Sequence, residues 1–412
     1  MNRLRLFYHY LWAATAAVWY RFPSREIFVL GITGTKGKTT TLELISALLE
    51  ADGKRTAIAS TLRFKIGEQS EMNQLKMTMP GRARLQQFLR AAVRARCDYA
   101  LVEMTSEGAK QFRHRFIELD ALIFTNLAPE HLESHGSYAN YLAAKLEIAK
   151  QLARSRKTAK TIIVNADDRE AKHFLQAAGS AGVEKITYRA RDGAPWSVSE
   201  IGLELTFRNL KIRSPLAGRF NLYNILAAAT FAAARGAPPE IIKTTLENFR
   251  GVRGRLERIE AQAINPRQPD FTVIVDYAHT PDSLKQVYET FAARQKICVL
   301  GAAGGGRDKW KRPVLGKIAS DHCWRIILTN EDPYDEDPTA IIRDLARGLG
   351  RKPFQTIIDR RAAIRQAFLE AKDGELVIIT GKGTDPFIMG PRGTKIPWDD
   401  ATVVREELKK NA

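Results

Sequence analysis

Gly31-Ile32-Thr33-Gly34-Thr35-Lys36-Gly37-Lys38-Thr39-Thr40 decides the fold of this chain. An apolar run, Ile27 to Leu30, leads into it, and a helix-forming run, Leu42 to Leu49, follows. The order is strand, glycine loop, helix. Glycines let the backbone approach phosphate oxygens, and the amides at a helix N-terminus face an anion. Lys38 can then reach the β- and γ-phosphates, and the Thr39 hydroxyl can ligate Mg²⁺. Gly34, Thr35, Gly37 and Thr40 complete the nucleotide cradle. The strict Walker spacing wants glycine where this chain has Ile32; the glycines fall instead at Gly31, Gly34 and Gly37. A glycine-rich turn with a chance lysine is the competing reading, and the flanking strand and helix oppose it.

Working outward, strand-like and helix-like runs alternate. Tyr99 to Glu103, Leu122 to Asn126 and Thr161 to Asn165 read as strands; Tyr141 to Leu152 and Asn221 to Ala234 read as helices. This alternation predicts a mostly parallel sheet covered by helices, with ligands at the carboxyl ends of the strands. A loop with Pro266 and Pro269 separates a second half. There Thr272 to Asp276, Ile297 to Leu300, Arg325 to Leu328 and Leu376 to Thr380 read as strands. A chain of 412 residues exceeds one ordinary core, so two domains are expected. Its net charge of +18 suits anionic ligands without choosing among nucleotides, nucleic acid or lipid headgroups. Cys97, Cys298 and Cys323 are few and scattered; they read as small buried hydrophobes in a reducing cytoplasm, with no disulfide framework.

The N-terminus is aromatic. Leu4, Phe7, Leu11, Ala14 and Val18 recur at helical spacing, crowded by Tyr8, Tyr10, Trp12, Trp19 and Tyr20, with Arg3, Arg5 and Arg21 at the ends. The run is short for a bilayer span, and His9 interrupts it. A helix packed on the protein's own body and a helix lying in a membrane interface are both open readings. Ala14-Thr15-Ala16 looks like a cleavage site, but the ATP-using domain that follows at once argues against export.

Several further blocks bear chemistry. Glu103 ends a strand near the loop, where a carboxylate is a natural Mg²⁺ ligand, and Met104-Thr105-Ser106-Glu107 follows. Then come Phe124-Thr125-Asn126-Leu127-Ala128-Pro129-Glu130-His131-Leu132-Glu133-Ser134-His135-Gly136, and Lys145 in Tyr141-Leu142-Ala143-Ala144-Lys145. Two histidines four apart could suggest zinc, but no third ligand has suitable spacing. Lys145 by itself reads as a solvated helix lysine. Gly218-Arg219-Phe220-Asn221-Leu222-Tyr223-Asn224 opens a helix and could be an N-cap pair. Gly254-Arg255-Leu256-Glu257, Asp276-Tyr277-Ala278-His279, Gly301 to Arg312, Thr329 to Pro338, Gly381-Lys382-Gly383-Thr384-Asp385 and Pro397-Trp398-Asp399-Asp400 complete the series.

In this order the blocks resemble the Mur ligase family, whose members join an amino acid or peptide to a carboxylate using ATP. The resemblance spans about Gly31 to Asp400 and is nearest the muramoyl-tripeptide synthetases. It implies a P-loop central ATPase domain with a mostly parallel sheet plus a C-terminal Rossmann-like α/β domain, with residues 1–24 an amphipathic helix, 25–258 the central domain and 259–412 the C-terminal domain. It implies ATP and Mg²⁺, with Thr39, Glu103, His131 and a carbamylated Lys145 as the metal set, and Lys38, Lys145 and His131 as catalytic residues. Asn221, Asn224, Arg255, Asp276 and His279 would meet the nucleotide. Thr78, Ser106, Arg113, Arg307, Glu331, Asp332, Tyr334, Gly381 and Asp385 would serve the substrates, Asp385 meeting the incoming amine. The partners implied are an anionic acceptor such as a UDP-muramoyl peptide and an amino acid. The expected protein is a cytoplasmic monomer in peptidoglycan precursor synthesis, with a peripheral membrane contact through the N-terminal helix as an addition. Folylpolyglutamate-type ligation is the nearest alternative, and a nucleic-acid- or membrane-associated NTPase a more distant one. The departures are informative. Glu107 replaces a family histidine, Glu130 and Glu133 replace aspartates, and Tyr334 stands where diaminopimelate-adding enzymes carry an arginine. A phenol cannot replace a bidentate guanidinium, which puts diaminopimelate in doubt. Only 30 residues precede Gly31, where those synthetases carry a domain for the uridine nucleotide.

Overall fold

The computed structural model describes residues 3–130, 132–179 and 182–410, which divide into two compact units, Met1–Arg250 and Gly251–Ala412. In the first, helix α1 (Arg3–Trp19) precedes β1 (Phe28–Thr33), α2 (Lys38–Ala51), β2 (Thr56–Ala59), β3 (Arg63–Ile66), β4 (Gln69–Met72), α3 (Arg82–Arg94) and β5 (Tyr99–Met104). Then follow α4 (Ser106–Lys110), β6 (Ala121–Phe124), α5 (Leu132–His135), α6 (Tyr138–Arg154), β7 (Lys160–Asn165), α7 (Ala171–Ala177), β8 (Val183–Tyr188) and, later, α8 (Arg219–Ala234). The sheet order is β4-β3-β2-β5-β1-β6-β7-β8. All pairings from β2 to β8 are parallel, and β3 and β4 extend one edge antiparallel.

Period-two alternation divides each central strand between two cores. Val29, Ala100, Val102, Leu122 and Phe124 face one side; Leu30, Ile32, Leu101, Ala121 and Ile123 face the other, where α2 and α8 pack. Burial on both faces is what a parallel sheet requires, and it explains the nearly continuous apolar runs in the sequence. Glu103 follows Val102 and so shares the face of Leu101, the α2 side. The alternation that fills the core therefore also aims a carboxylate toward the glycine loop.

The second unit holds a six-stranded sheet. Its strands in spatial order are Glu257–Glu260, Thr272–Asp276, Leu376–Thr380, Lys296–Leu300, Arg325–Leu328 and Gln355–Thr356. The first strand is antiparallel to its neighbour and the rest are parallel. The expected division at 258/259 therefore falls inside a strand, because Glu257–Glu260 pairs with Thr272–Asp276. The loop with Pro266 and Pro269 is internal to the second unit.

Two other expectations change. Phe7, Leu11 and Val18, read as one apolar face of α1, are exposed; Ala13, Ala16 and Ala17 are the buried face. Cys298 and Cys323 are joined in a disulfide with Cα atoms 6.1 Å apart, and Cys97 alone is a free, buried thiol. Twenty-five residues separate the pair in sequence, and only the packing of the helix Lys311–His322 beside the strand Lys296–Leu300 brings them together.

Candidate active site

The loop after β1 is shaped by close approach. A Cβ on Gly34 would lie 1.9 Å from Thr125 Oγ1, and one on Gly37 would lie 2.3 Å from Asn224 Oδ1. Both glycines also have positive φ, 150° and 82°, so no side chain fits either position. The segment after β6 braces the loop: Thr35 N–H donates to the Asn126 carbonyl (2.8 Å), Lys36 N–H to Asn126 Oδ1 (3.0 Å), and the Thr125 hydroxyl to the Lys36 carbonyl (2.7 Å). Lys36 pairs with Glu130 at 3.3 Å. Thr39 and Thr40 are buried in the first turn of α2. Asn221 and Asn224 lie beneath this cradle. The Asn224 amide donates to Asn221 Oδ1 (2.8 Å), and its oxygen accepts from the Thr41 hydroxyl (3.3 Å). Both asparagines are buried, and Asn224 packs against Gly37 of the loop.

Lys38 folds back so that its ammonium donates to the carbonyls of Gly34 (2.9 Å) and Thr35 (3.0 Å). Lys145, on α6, reaches the same Gly34 carbonyl at 2.8 Å, with its nitrogen 5.1 Å from the centre of the Tyr141 ring. The Tyr141 hydroxyl is 3.0 Å from Thr35 Oγ1, so α6 grips the loop at two points. Lys145 is 2% exposed. Burial, then the nearby Lys38, push its pKa well below the ordinary lysine value; Glu130 opposes them. An amine held so gives up its proton more readily than an ordinary lysine. The solvated-lysine reading fails on this geometry.

Glu103 is fully buried, and its carboxylate accepts from Thr61 through the hydroxyl (2.8 Å) and the backbone N–H (3.2 Å). Thr61 Oγ1 is also 2.9 Å from Thr78 Oγ1, which ties Thr78 to the carboxylate. Beyond lies a basic patch. The Arg113 guanidinium donates to the Met79 carbonyl and to Gln111 Oε1 (2.8 Å), while Arg82 Nε donates to the Gln111 carbonyl (2.8 Å). Two guanidiniums thus converge on one residue, and Arg82 Nη2 and Arg113 Nε are buried without partners. Ser106 is buried at the start of α4. Glu107 accepts from Gln111 (2.7 Å) and Ser134 (3.2 Å); burial raises its pKa, but Gln111 and Lys110 outweigh that and hold the carboxyl below its usual range. His131 lies outside the described residues. Thr39 and Glu103 supply hard oxygen donors of the kind Mg²⁺ prefers. Among the described residues no three His, Cys, Asp or Glu side chains cluster for a metal. Sequence reading had not singled out Thr61, Arg82, Gln111 or Tyr141. Each is an unremarkable residue type whose role comes from a partner far along the chain.

The second unit carries the remaining candidates. Asp276, at a strand end, accepts from the backbone N–H of Leu256 (2.7 Å) and Ala278 (2.6 Å), anchoring the Gly254–Glu257 turn. Arg255 lies 4.3 Å from the centre of the Tyr277 ring, and His279 Nδ1 is 2.8 Å from the Tyr277 carbonyl. A Cβ on Gly381 would meet Glu331 Oε2 at 2.4 Å. Burial, then neighbouring Asp332, raise the Glu331 pKa against Lys382 and Arg360. Lys382, 1% exposed, donates to Asp332 (2.9 Å), Asp385 (2.9 Å) and the Phe387 carbonyl (2.6 Å). Asp385, expected to meet the amine, is thus engaged in an ion pair. The Tyr334 ring would be 2.5 Å from a Cβ on Gly305, and its hydroxyl bonds Arg307, keeping that guanidinium charged against burial. A guanidinium from the glycine-rich loop therefore stands beside the tyrosine.

Residues 32–232 match the Mur ligase middle domain, and residues 254–383 match the Mur ligase glutamate ligase domain. The chain is 38% identical to the UDP-N-acetylmuramyl-tripeptide synthetase of Roseiflexus sp. (strain RS-1), over 96% of this chain and 81% of that protein. It is 36% identical to the UDP-N-acetylmuramoyl-L-alanyl-D-glutamate--2,6-diaminopimelate ligase of Syntrophomonas wolfei, with the same coverage of 96% and 81%. Its fold is shared with Mycobacterium tuberculosis folylpolyglutamate synthase (TM-score 0.70, 16% identity, 90% of this chain and 91% of that one). A phosphate cradle in the first of two α/β units and this likeness together define an ATP-dependent ligase. The chain belongs to the Mur ligase family.

Proposed function

We propose that this protein joins an amino acid to a muramoyl-peptide-type acceptor during peptidoglycan precursor synthesis. ATP phosphorylates the acceptor carboxylate, the amine attacks the acyl phosphate to form the amide, and phosphate leaves. Lys38 would offset the charge that grows on the transferring phosphoryl group. Mg²⁺, held by Thr39, Glu103 and His131, would offset the same charge when bound. The Lys145 amine adds CO₂ and loses a proton to become an anionic carbamate, which would join the metal set. Arg113, with Arg82 and Gln111, binds the acceptor's anionic end beside Thr78 and Ser106. Arg255, Asp276 and His279 serve the nucleotide, and Arg307, Glu331, Asp332, Tyr334, Gly381 and Asp385 shape the amine end. The protein works as a cytoplasmic monomer, with α1 available for a peripheral membrane contact.

The observation that carries this reading is the convergence of Lys38 and Lys145 on the Gly34 carbonyl inside a braced glycine loop. The test is phosphate release from ATP measured over a matrix of acceptors (UDP-muramoyl dipeptide and folate-linked glutamates) and amino acids. Release that requires a muramoyl acceptor and an amino acid together is expected. Release indifferent to both, and stimulated by nucleic acid or lipid instead, sinks the ligase reading.

A further inference from the structure

Helix α1 is built inside out. Its small residues Ala13, Ala16 and Ala17 are buried and rest on α3, while Phe7 (62% exposed), Trp12 (49%), Val18 (63%) and Trp19 (82%) face outward with Tyr8 and Leu11. A helix that only covers a core does the reverse, and clustered large apolar side chains seldom stay uncovered. The helix is firmly held. The Arg90 guanidinium donates to the carbonyls of Tyr20 (2.9 Å) and Arg21 (3.1 Å) and pairs with Glu26 at 2.7 Å. Tyr10 packs 5.3 Å from the Phe116 ring and 6.0 Å from the Phe112 ring. Its outward face is therefore a fixed surface.

The sequence of this stretch is basic. No Asp or Glu occurs before Glu26, while Arg3 and Arg5 lie in the helix and Arg21 and Arg25 follow it, Arg25 facing Glu118 at 3.9 Å, in a chain of net charge +18. Tryptophan and tyrosine among arginines is the composition that settles between lipid headgroups and acyl chains. No described helix is long and apolar enough to cross a membrane. We propose that the outer face of α1 docks on an anionic lipid surface, its aromatic rings at headgroup depth and its inner alanine face on the protein. Phe112 and Phe116, which pack on α1, bracket Arg113, so the docked face adjoins the acceptor-binding turn. An acceptor carried at the same lipid surface would reach Arg113 directly; that consequence rests on the proposed function, whereas the docking does not.

Cosedimentation of the full chain with vesicles tests it. Phosphatidylglycerol vesicles should pull down the protein, phosphatidylcholine vesicles far less, and added salt should weaken the capture. A Trp12→Ser/Trp19→Ser double variant should bind at least about tenfold more weakly, because two exposed rings no longer enter the interface. Its thermal unfolding and its phosphate release with a soluble acceptor should match the parent. Failure to bind phosphatidylglycerol vesicles, equal binding to both lipids, or equal binding by the double variant overturns the proposal. So does self-association in solution that the double variant abolishes without any vesicle binding. Absence of phosphate release from the parent protein alongside normal vesicle capture would break the ligase reading and leave the docking intact.

Discussion

Two buried lysines do opposite things. Lys145 in the first unit meets a carbonyl and lies near Lys38 and Lys36; Lys382 in the second meets two carboxylates. Burial works against both charges. At Lys145 Glu130 repays it only in part, and the pKa falls well below 10.5; at Lys382, Asp385 and Asp332 outweigh it, and the pKa rises. Equal burial thus leaves one lysine readier to lose its proton and the other held as a cation. The partners decide which: a carbonyl and other lysines at Lys145, two carboxylates at Lys382.

The contrast can be broken by substitution, and the largest effect is expected at the fixed cation. Lys382→Met should cost about 3–5 kcal/mol of stability, because Asp332 and Asp385 are left without their buried partner. Chemical denaturation of the nucleotide-free protein checks this; a loss near zero would show that the ion pair is not structural. Lys38→Ala should do the reverse, with turnover falling about 10²–10³-fold and unfolding without nucleotide little changed. Turnover at the parent rate would remove the loop from the chemistry. Lys145→Ala should also stop turnover, and added acetate or formate should restore part of it by standing in for the carbamate. An unmodified amine, seen by intact mass in active enzyme kept under CO₂, would count against that role.

The amine end offers a smaller test. If Tyr334 deprives the site of a charge-assisted pair, diaminopimelate should lose about 1.5–3 kcal/mol relative to an enzyme with arginine there. Rates with lysine, diaminopimelate and neutral amino acids decide it. A clear preference for diaminopimelate would mean that Arg307, beside Tyr334, supplies the missing clamp. The smallest expected effect is on pH dependence in CO₂-free buffer. Lys145 has a lowered folded pKa, so the unfolded chain binds more protons in the window up to 10.5, and stability should rise with pH there. Lys382 has a raised folded pKa; its contribution is complete below 10.5 and is lost as pH climbs through the folded value. Lys145→Met should flatten the rise, and an unchanged slope would place the amine in a wetter site than the structure gives it.

The phosphate loop was legible because its signal is local. Gly34, Gly37, Lys38 and Thr39 are neighbours, and strand and helix flank them directly. The central strands were legible for the same reason: burial on both faces leaves apolar runs of strand length. The exposed edge hairpin β3–β4 and the strand Glu257–Glu260 left no such run, which is why the boundary was misplaced. The helix α1 was legible in its period but not in its orientation. Its large residues repeat at helical spacing, yet Ala13, Ala16 and Ala17 form its buried side.

By itself the sequence determined two α/β units, a glycine loop between strand and helix, and the order of the ligase blocks, since each rests on residues close together in the chain. Only the tertiary structure decided what those residues touch. It set Lys145 over Gly34 across 111 residues, packed Asn224 against Gly37, joined Cys298 to Cys323, and gathered Arg82 and Arg113 on Gln111. Charge state, packing and hydrogen bonding depend on neighbours in space, and a folded chain draws those neighbours from distant strands and helices.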